Sequence, residues 1–298
     1  MSQQTPDPHA PLCAGPDRHT RKPALLLPAL ACDTHAHILG PASRYPYIAE
    51  RVYTPPDCLL GDYQAMLAAL GIQRCVLVQP SVYGTDNRVL CEALQGIGPG
   101  SRGVAVIDKD TPDEELAQLH AAGVRGVRVN IVDLRDQSAG LPVPMLYRLA
   151  ERIAGRGWHL ELLAHVNAYA QLDTALAGLP VQVVFGHFGY APAANGMDDP
   201  GLQALLRMAE RGQAWIKMTG PYRLTSGPYP YAPVTPVAHA VLARCPDRLL
   251  WGSDWPHVMI KGVMPNDADL LDLMGEWVAD PALRQQILCE NPARLYGW

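Results

Sequence analysis

LACDTHAH (30–37) is the first of eight short apolar or β-branched runs in this chain, and its reading decides the fold. It sets Asp33, His35 and His37 at alternate positions, with small or apolar residues between them. Alternate side chains of an extended strand share a face, so an acid and two imidazoles are expected side by side. One buried histidine is commonly a hydrogen-bonded core residue. Two on one strand face, with an acid, each need partners in a place built from apolar residues, which points to a site.

Similar runs recur: RCVLVQPS (74–81), RGVAVID (102–108), VRGVRVNIV (124–132), WHLELLAH (158–165), VQVVFGH (181–187), AWIKMTG (214–220) and RLLWGSDW (248–255). Stretches with helical spacing separate them, over 57–71, 86–96, 112–123, 144–156, 167–178, 200–212 and 234–245. Two more, 268–278 and 282–289, follow the eighth run. Thr111 and Asn167 stand where helix N-caps belong. Gly71, Gly123, Gly178 and Gly212 stand where left-handed C-terminal caps belong. Strict alternation implies parallel strands joined by helical crossovers. Eight such units in roughly 270 residues suit a closed barrel, which typically needs about 250. An open doubly wound sheet is the rival, but no GxGxxG follows the first run. The expected fold class is therefore α/β, a (β/α)8 TIM-like barrel over 23–298. Residues 1–22, Pro-rich and polar, are expected to form a loose N-terminal extension.

Composition narrows the function. The chain has 298 residues, 48% of them hydrophobic, and a net charge of -5. No Lys/Arg block offers a footprint for nucleic acid or a membrane surface. The apolar stretch 24–31 is too brief to span a bilayer and is broken by Pro28. The first charged side chain is Asp7, which argues against a signal peptide. Seven cysteines, an odd count with no CxxC pair, suit reduced thiols in a cytoplasmic protein better than a disulfide framework or a zinc knuckle. The expected partner is a small molecule, and a homo-oligomer is compatible with all of this.

Barrel geometry then says where chemistry belongs: at the C-terminal ends of the strands and in the loops behind them. His35 and His37 end the first run, Ser81 the second, Arg128 and Asn130 the fourth, His165 the fifth, His187 the sixth and Asp254 the eighth. Asp254 follows Leu-Leu-Trp-Gly-Ser and precedes Trp-Pro, a poor setting for simple packing. A carboxylate held near imidazoles can take a proton from water. His257 is expected to support that loop. Arg128 lies between Val127 and Val129, so it points away from the apolar face that meets the helices.

DTHAH, VLVQPSVYGTDN, RGVRVN, GHFG, LLWGSDWPH and the closing NPARLYGW resemble, in collinear order from residue 30 to the end, the amidohydrolase superfamily of the amidohydrolase 2 type. More narrowly they resemble its branch around 2-pyrone-4,6-dicarboxylate lactonase. The resemblance implies a TIM-like barrel that hydrolyses a lactone in aromatic catabolism. It implies that Asp254 activates water and that His35, His37 and His187 polarise or contact the scissile carbonyl. It makes Arg128 and Arg223 contacts for substrate anions, with Ser81 and Tyr53 as further substrate contacts.

The chain also departs from that pattern. Metal-dependent amidohydrolases generally carry a histidine ligand in the fifth strand, and the lactonase branch a tyrosine. Leu163 stands there, with His165 two residues on. The fourth strand reads Arg128–Val129–Asn130 and offers no bridging lysine, which disfavours a binuclear centre. The branch implies that no cofactor is required. The alternative is one divalent ion, zinc, on His35, His37 and Asp254 with His187 nearby. Tyr190, and Leu134 with Arg135 displaced by one, stand where the branch has arginines for a second carboxylate. The expected substrate is thus an anionic lactone rather than the pyrone dicarboxylate itself. Two other classes remain: a metal-dependent decarboxylase of an aromatic acid, and a non-catalytic small-molecule binding barrel. The latter would show Asp254 locked in a salt bridge with no cleft beside it.

Overall fold

The structure, a computed structural model, describes residues 10–133 and 140–298. Each of the eight runs contains a strand: β1 (Cys32–Ala36), β2 (Arg74–Val78), β3 (Ser101–Ala105), β4 (Val124–Asn130), β5 (His159–Leu163), β6 (Val183–Phe185), β7 (Ala214–Met218) and β8 (Leu249–Trp251). They pair in parallel, in chain order. One strand face packs under the helices, where Leu77, Leu162 and Phe185 join helix residues such as Leu116 and Leu205. The other fills the barrel with Cys32, Val76, Val104, Val184, Trp215 and Leu250, against Tyr296. Each large apolar side chain buried this way stabilises the fold by about 1.5–3 kcal/mol relative to exposure.

No ladder joins β1 to β8 among the described residues; the seam closes just beyond β8. There His37 N–H donates to Trp255 O and Asp254 N–H to His35 O, both at 2.8 Å. Asp33, fully buried, fastens the same seam. Its carboxylate accepts from His35 N (3.1 Å), Ser253 N (2.9 Å), Ser253 Oγ (2.6 Å) and Tyr63 Oη (2.9 Å).

This corrects the expectation of one shared face for Asp33, His35 and His37. The β1–β2 register shifts between Asp33 and Ala36, which breaks the alternation. Cys32 packs inside the barrel, while Asp33 turns out to Tyr63 in the helix Leu60–Leu70. Beyond the shift His35 reaches inward again.

The helix expected over 167–178 is reduced to a turn at Val166–Ala168 and a short helix at Leu172–Ala175. The helix Pro200–Glu210 crowds its start: a Cβ on Gly201 would lie 1.8 Å from Val166 O. Asn167 lies inside that turn and caps nothing. Gly178 does not take the left-handed turn adopted by Gly71, Gly123 and Gly212; it donates its N–H to Tyr147 Oη at 3.1 Å. Thr111 does not cap its helix either, because its Oγ1 is taken by Asp108 N–H at 3.0 Å. Of the N-terminal extension, residues 10–22 run along the barrel. Thr54 N–H donates to Pro11 O and Cys13 N–H to Thr54 O, each at 2.9 Å, and Arg21 pairs with Asp272 at 2.7 Å. All seven cysteines are free. Among the described residues no helix is long and apolar enough to cross a membrane.

The seam depends on a residue without a side chain. A Cβ on Gly252 would meet His35 N at 2.7 Å and Thr219 Cγ2 at 2.9 Å. Gly252→Ala should therefore destabilise the barrel by about 1–3 kcal/mol through overpacking. A lowered urea midpoint at unchanged m-value would show it; an unchanged midpoint would mean that the seam has slack.

Candidate active site

Because all eight strands are parallel, their C-terminal ends ring one opening. A cavity of about 410 Å³ lies there, walled by His37, Arg128, His187, Tyr190, Arg223 and Asp254, among others. Tyr53, Ser81, Leu163 and His165 line it too. His35 alone of the expected site residues lies beneath it, fully buried.

Asp254 is the centre of the arrangement. Its Oδ2 accepts from Arg223 Nε at 2.7 Å and from Tyr222 Oη at 2.6 Å. Its Oδ1 has no hydrogen-bond partner and faces His35 Nε2 at 3.7 Å and His187 Nε2 at 3.8 Å. Burial alone would raise this carboxyl, but the Arg223 guanidinium it touches outweighs that and holds Asp254 well below the ordinary carboxylate range. Arg223 also donates from Nη2 to Val258 O at 3.1 Å. Its Nε is committed to Asp254, while the side chain also lines the cavity where a substrate contact is expected. The supporting role expected of His257 takes a definite form: Nδ1 meets Tyr222 Oη at 2.8 Å and Nε2 meets Asp267 Oδ1 at 3.1 Å. His187, Tyr190, Asp254 and His257 all sit at positive φ, between 51° and 68°. Side chains other than glycine adopt that backbone at a cost, and such strain gathers where function fixes a side chain's direction.

Each imidazole has one nitrogen committed. His37 Nδ1 lies 2.7 Å from Val78 O, which can only accept, so Nδ1 carries the proton and Nε2 keeps its lone pair. His187 Nδ1 lies 2.8 Å from Thr219 Oγ1, which already accepts His187 N–H at 3.1 Å. That contact occupies Nδ1 and leaves Nε2 as the ring nitrogen that faces Asp254. His35 Nδ1 lies 3.2 Å from Lys217 Nζ and equally far from Glu161 Oε1. Burial lowers His37 to about 4, helped by Arg128, and His187 to about 3. It also lowers His35, reinforced by Lys217.

Arg128 is 6% exposed, donates Nη1–H to Gln79 O at 2.8 Å and leaves Nε without a partner. That is a cation with donors to spare beside the cavity. Ser81 Oγ donates to Asp133 Oδ2 at 3.0 Å, and Asn130 Nδ2 to the same oxygen at 2.7 Å. Tyr190 stands edge-on to both His187 and His165, with ring centroids 4.9 and 5.2 Å away, and so separates them. The positions Leu134 and Arg135 lie outside the described residues.

Sequence reading missed Lys217, Thr219 and Tyr222, and assigned Glu161 no role. For two of them the signal was present: Lys217 interrupts AWIKM and Glu161 interrupts HLELL, each a charge inside an otherwise apolar strand. Tyr222 and Thr219 carried no such signal.

His35, His37 and Asp254 offer three ligand atoms within 4.8 Å of one another, the number a catalytic zinc needs. Protonation is what fails to fit. A metal on His35 Nε2 requires the proton to reside on Nδ1, facing an acceptor. Here Nδ1 lies 3.2 Å from the Lys217 ammonium, which has only protons to give, and equally far from Glu161 Oε1, with which it makes no hydrogen bond.

A parallel eight-stranded barrel with histidines at the ends of β1 and β6 and an aspartate after β8 defines a class of enzymes. Residues 32–298 match the Amidohydrolase family profile, and the chain belongs to that family. It is 37% identical to the 4-sulfomuconolactone hydrolase of Rhizobium radiobacter, over 96% of each chain. It is 38% identical to the 2-pyrone-4,6-dicarboxylate hydrolase of Comamonas testosteroni, over 92% of each. Among solved structures, a Pseudomonas putida protein presented as a candidate 2-pyrone-4,6-dicarboxylic acid hydrolase superposes with a TM-score of 0.78 at 34% identity. That match covers 91% of this chain and 98% of the other.

The lowered values imply that the three imidazoles stay neutral as pH falls through 6.5, where an ordinary histidine gains its proton. In an NMR titration between about pH 8 and 5, the ring signals of His35, His37 and His187 should not move. A midpoint between about 6 and 7 for His37 or His187 would contradict the burial argument.

Proposed function

We propose that this chain hydrolyses a lactone, opening the ring ester of a small substrate that carries an anionic group. The observation that carries this reading is the divided carboxylate of Asp254. One oxygen is clamped by Arg223 and Tyr222, while the other stands unpaired 3.7 and 3.8 Å from two imidazole nitrogens. Those gaps are too long for direct hydrogen bonds and suit a bridging water. The open cavity beside Asp254 argues against a non-catalytic barrel. Curated relatives that hydrolyse lactones, collinear over almost the whole chain, support the same reaction.

The water gives one proton to Asp254 Oδ1 while its second hydrogen rests on the His37 Nε2 lone pair. Its oxygen attacks the ring carbonyl. The developing oxyanion receives the His187 Nε2–H, a neutral donor held in place by Thr219. When the ring C–O bond breaks, Asp254 returns its proton to the leaving oxygen, and a hydroxy acid departs. Arg223 keeps Asp254 ionised and oriented between turnovers. No step calls for a cofactor. Arg128, with its Nε unpaired, binds the substrate's carboxylate or sulfonate through charge-assisted bonds.

The direct test is hydrolysis of lactones bearing zero, one or two acidic groups, with and without chelator. Turnover that requires an acidic group and persists in chelator is the expected result; loss of activity in chelator would overturn the cofactor-free scheme. Asp254→Asn should lower kcat by about 10³-fold or more while calorimetry still detects substrate. Retained turnover would remove Asp254 as the base. Arg128→Met should raise KM for an anionic lactone by about 10–100-fold, with a smaller change for a neutral one. Equal loss on both would deny it the anion.

A further inference from the structure

Under the cavity floor lies an ion pair that hydrolysis, as described above, does not use. Glu161 of β5 and Lys217 of β7 meet at 2.6 Å, both fully buried inside the barrel. Burying two charges seldom brings net stability, because desolvation costs about as much as the attraction returns. An apolar pair would fill the same space, so the charges call for another account.

Their placement supplies one. The ammonium of Lys217 has three protons and three partners: Glu161 Oε2 at 2.6 Å, Thr34 O at 2.7 Å and His35 Nδ1 at 3.2 Å. The first two only accept, and an ammonium has no lone pair with which to receive. His35 Nδ1 must therefore accept the third proton. Glu161 Oε1 is just as near to Nδ1, at 3.2 Å, but forms no hydrogen bond. It lies off the direction in which a ring proton would point.

We propose that Lys217, braced by Glu161, is a positioning residue that holds His35 with Nδ1 bare and the proton on Nε2. His35 then presents an N–H toward Asp254 Oδ1, 3.7 Å away, and steadies the anion from below the cavity. The same proton occupies the lone pair that a metal ion would require. Lys217 thus decides between two chemistries that one set of side chains could support: an N–H turned toward the base across a water-sized gap, or metal ligation by His35, His37 and Asp254. The kinetic consequence rests on the lactone-hydrolase reading; the protonation pattern does not.

The test uses the full chain with 15N-labelled histidine. Long-range 15N–1H correlation distinguishes a protonated from a bare ring nitrogen, and His35 is identified by the signal missing from His35→Gln. The wild type should show His35 protonated on Nε2, and titration with zinc chloride should leave that signal in place. Protonation on Nδ1, or stoichiometric zinc displacing the His35 signal, would overturn the proposal. In Lys217→Met, with the donor to Nδ1 removed, the fraction of His35 protonated on Nδ1 should rise; a pattern unchanged from wild type would also overturn the proposal. Should that variant fail to fold, the wild-type spectrum alone decides. Lys217→Met should lower kcat by about 10–100-fold with little change in KM, the scale expected for a group that orients another. If no lactone is turned over by the wild type, the hydrolase reading falls while the spectrum still reports on His35.

Discussion

Closure of the barrel and assembly of the site are one event. The pair of backbone hydrogen bonds between β1 and the segment after β8 joins His35 to Asp254 and His37 to Trp255. The first and last strands are far apart in the chain, yet their ends carry the carboxylate and two of the three imidazoles. Whatever lets the seam close, including the acceptor role of Asp33 and the bare backbone of Gly252, also sets the distances on which proton transfer depends. A site assembled on strand ends inherits the stiffness of a packed core, which keeps gaps of 3.7 and 3.8 Å from collapsing into direct contacts.

The electrostatics share one logic. Asp254 is the anion of the cavity floor and is kept charged by a cation it touches, Arg223. The three histidines are kept uncharged by burial, so they act through hydrogen-bond polarity rather than net charge. A neutral imidazole can give or receive, and which it does depends on its other nitrogen. Val78 O makes that choice for His37 and, as proposed, Lys217 makes it for His35, while Thr219 occupies the second nitrogen of His187. Three identical side chains are thereby given different tasks by neighbours that never enter the cavity.

Much of this was legible in the sequence, for physical reasons. Parallel strands are buried on both faces, so they read as short apolar runs, and the alternation with helical spacing revealed eight of them. Polar residues at the ends of such runs, His187 and Asp254 above all, had few structural reasons to be there, and they line one cavity. What escaped detection depended on contacts across the barrel. The register shift in β1 turns Asp33 outward and leaves no mark in local periodicity. The shortening of the fifth helix comes from a glycine more than thirty positions away, packed against Val166. Arg223 was legible as a cation near the cavity, but nothing in GPYRLTS announces that its Nε meets Asp254. Lys217 and Glu161 were visible as charges in apolar strands, but only the fold brings them under His35.

The left-handed backbone at His187, Tyr190, Asp254 and His257 has a further consequence. A residue with a Cβ in that region costs on the order of 1–3 kcal/mol, and four such residues crowd one rim. Glycine would relieve the strain at every one of them and would erase a functional side chain each time. Heat resistance and turnover therefore pull against each other at this rim, and selection for thermal endurance alone would drift toward an inert barrel.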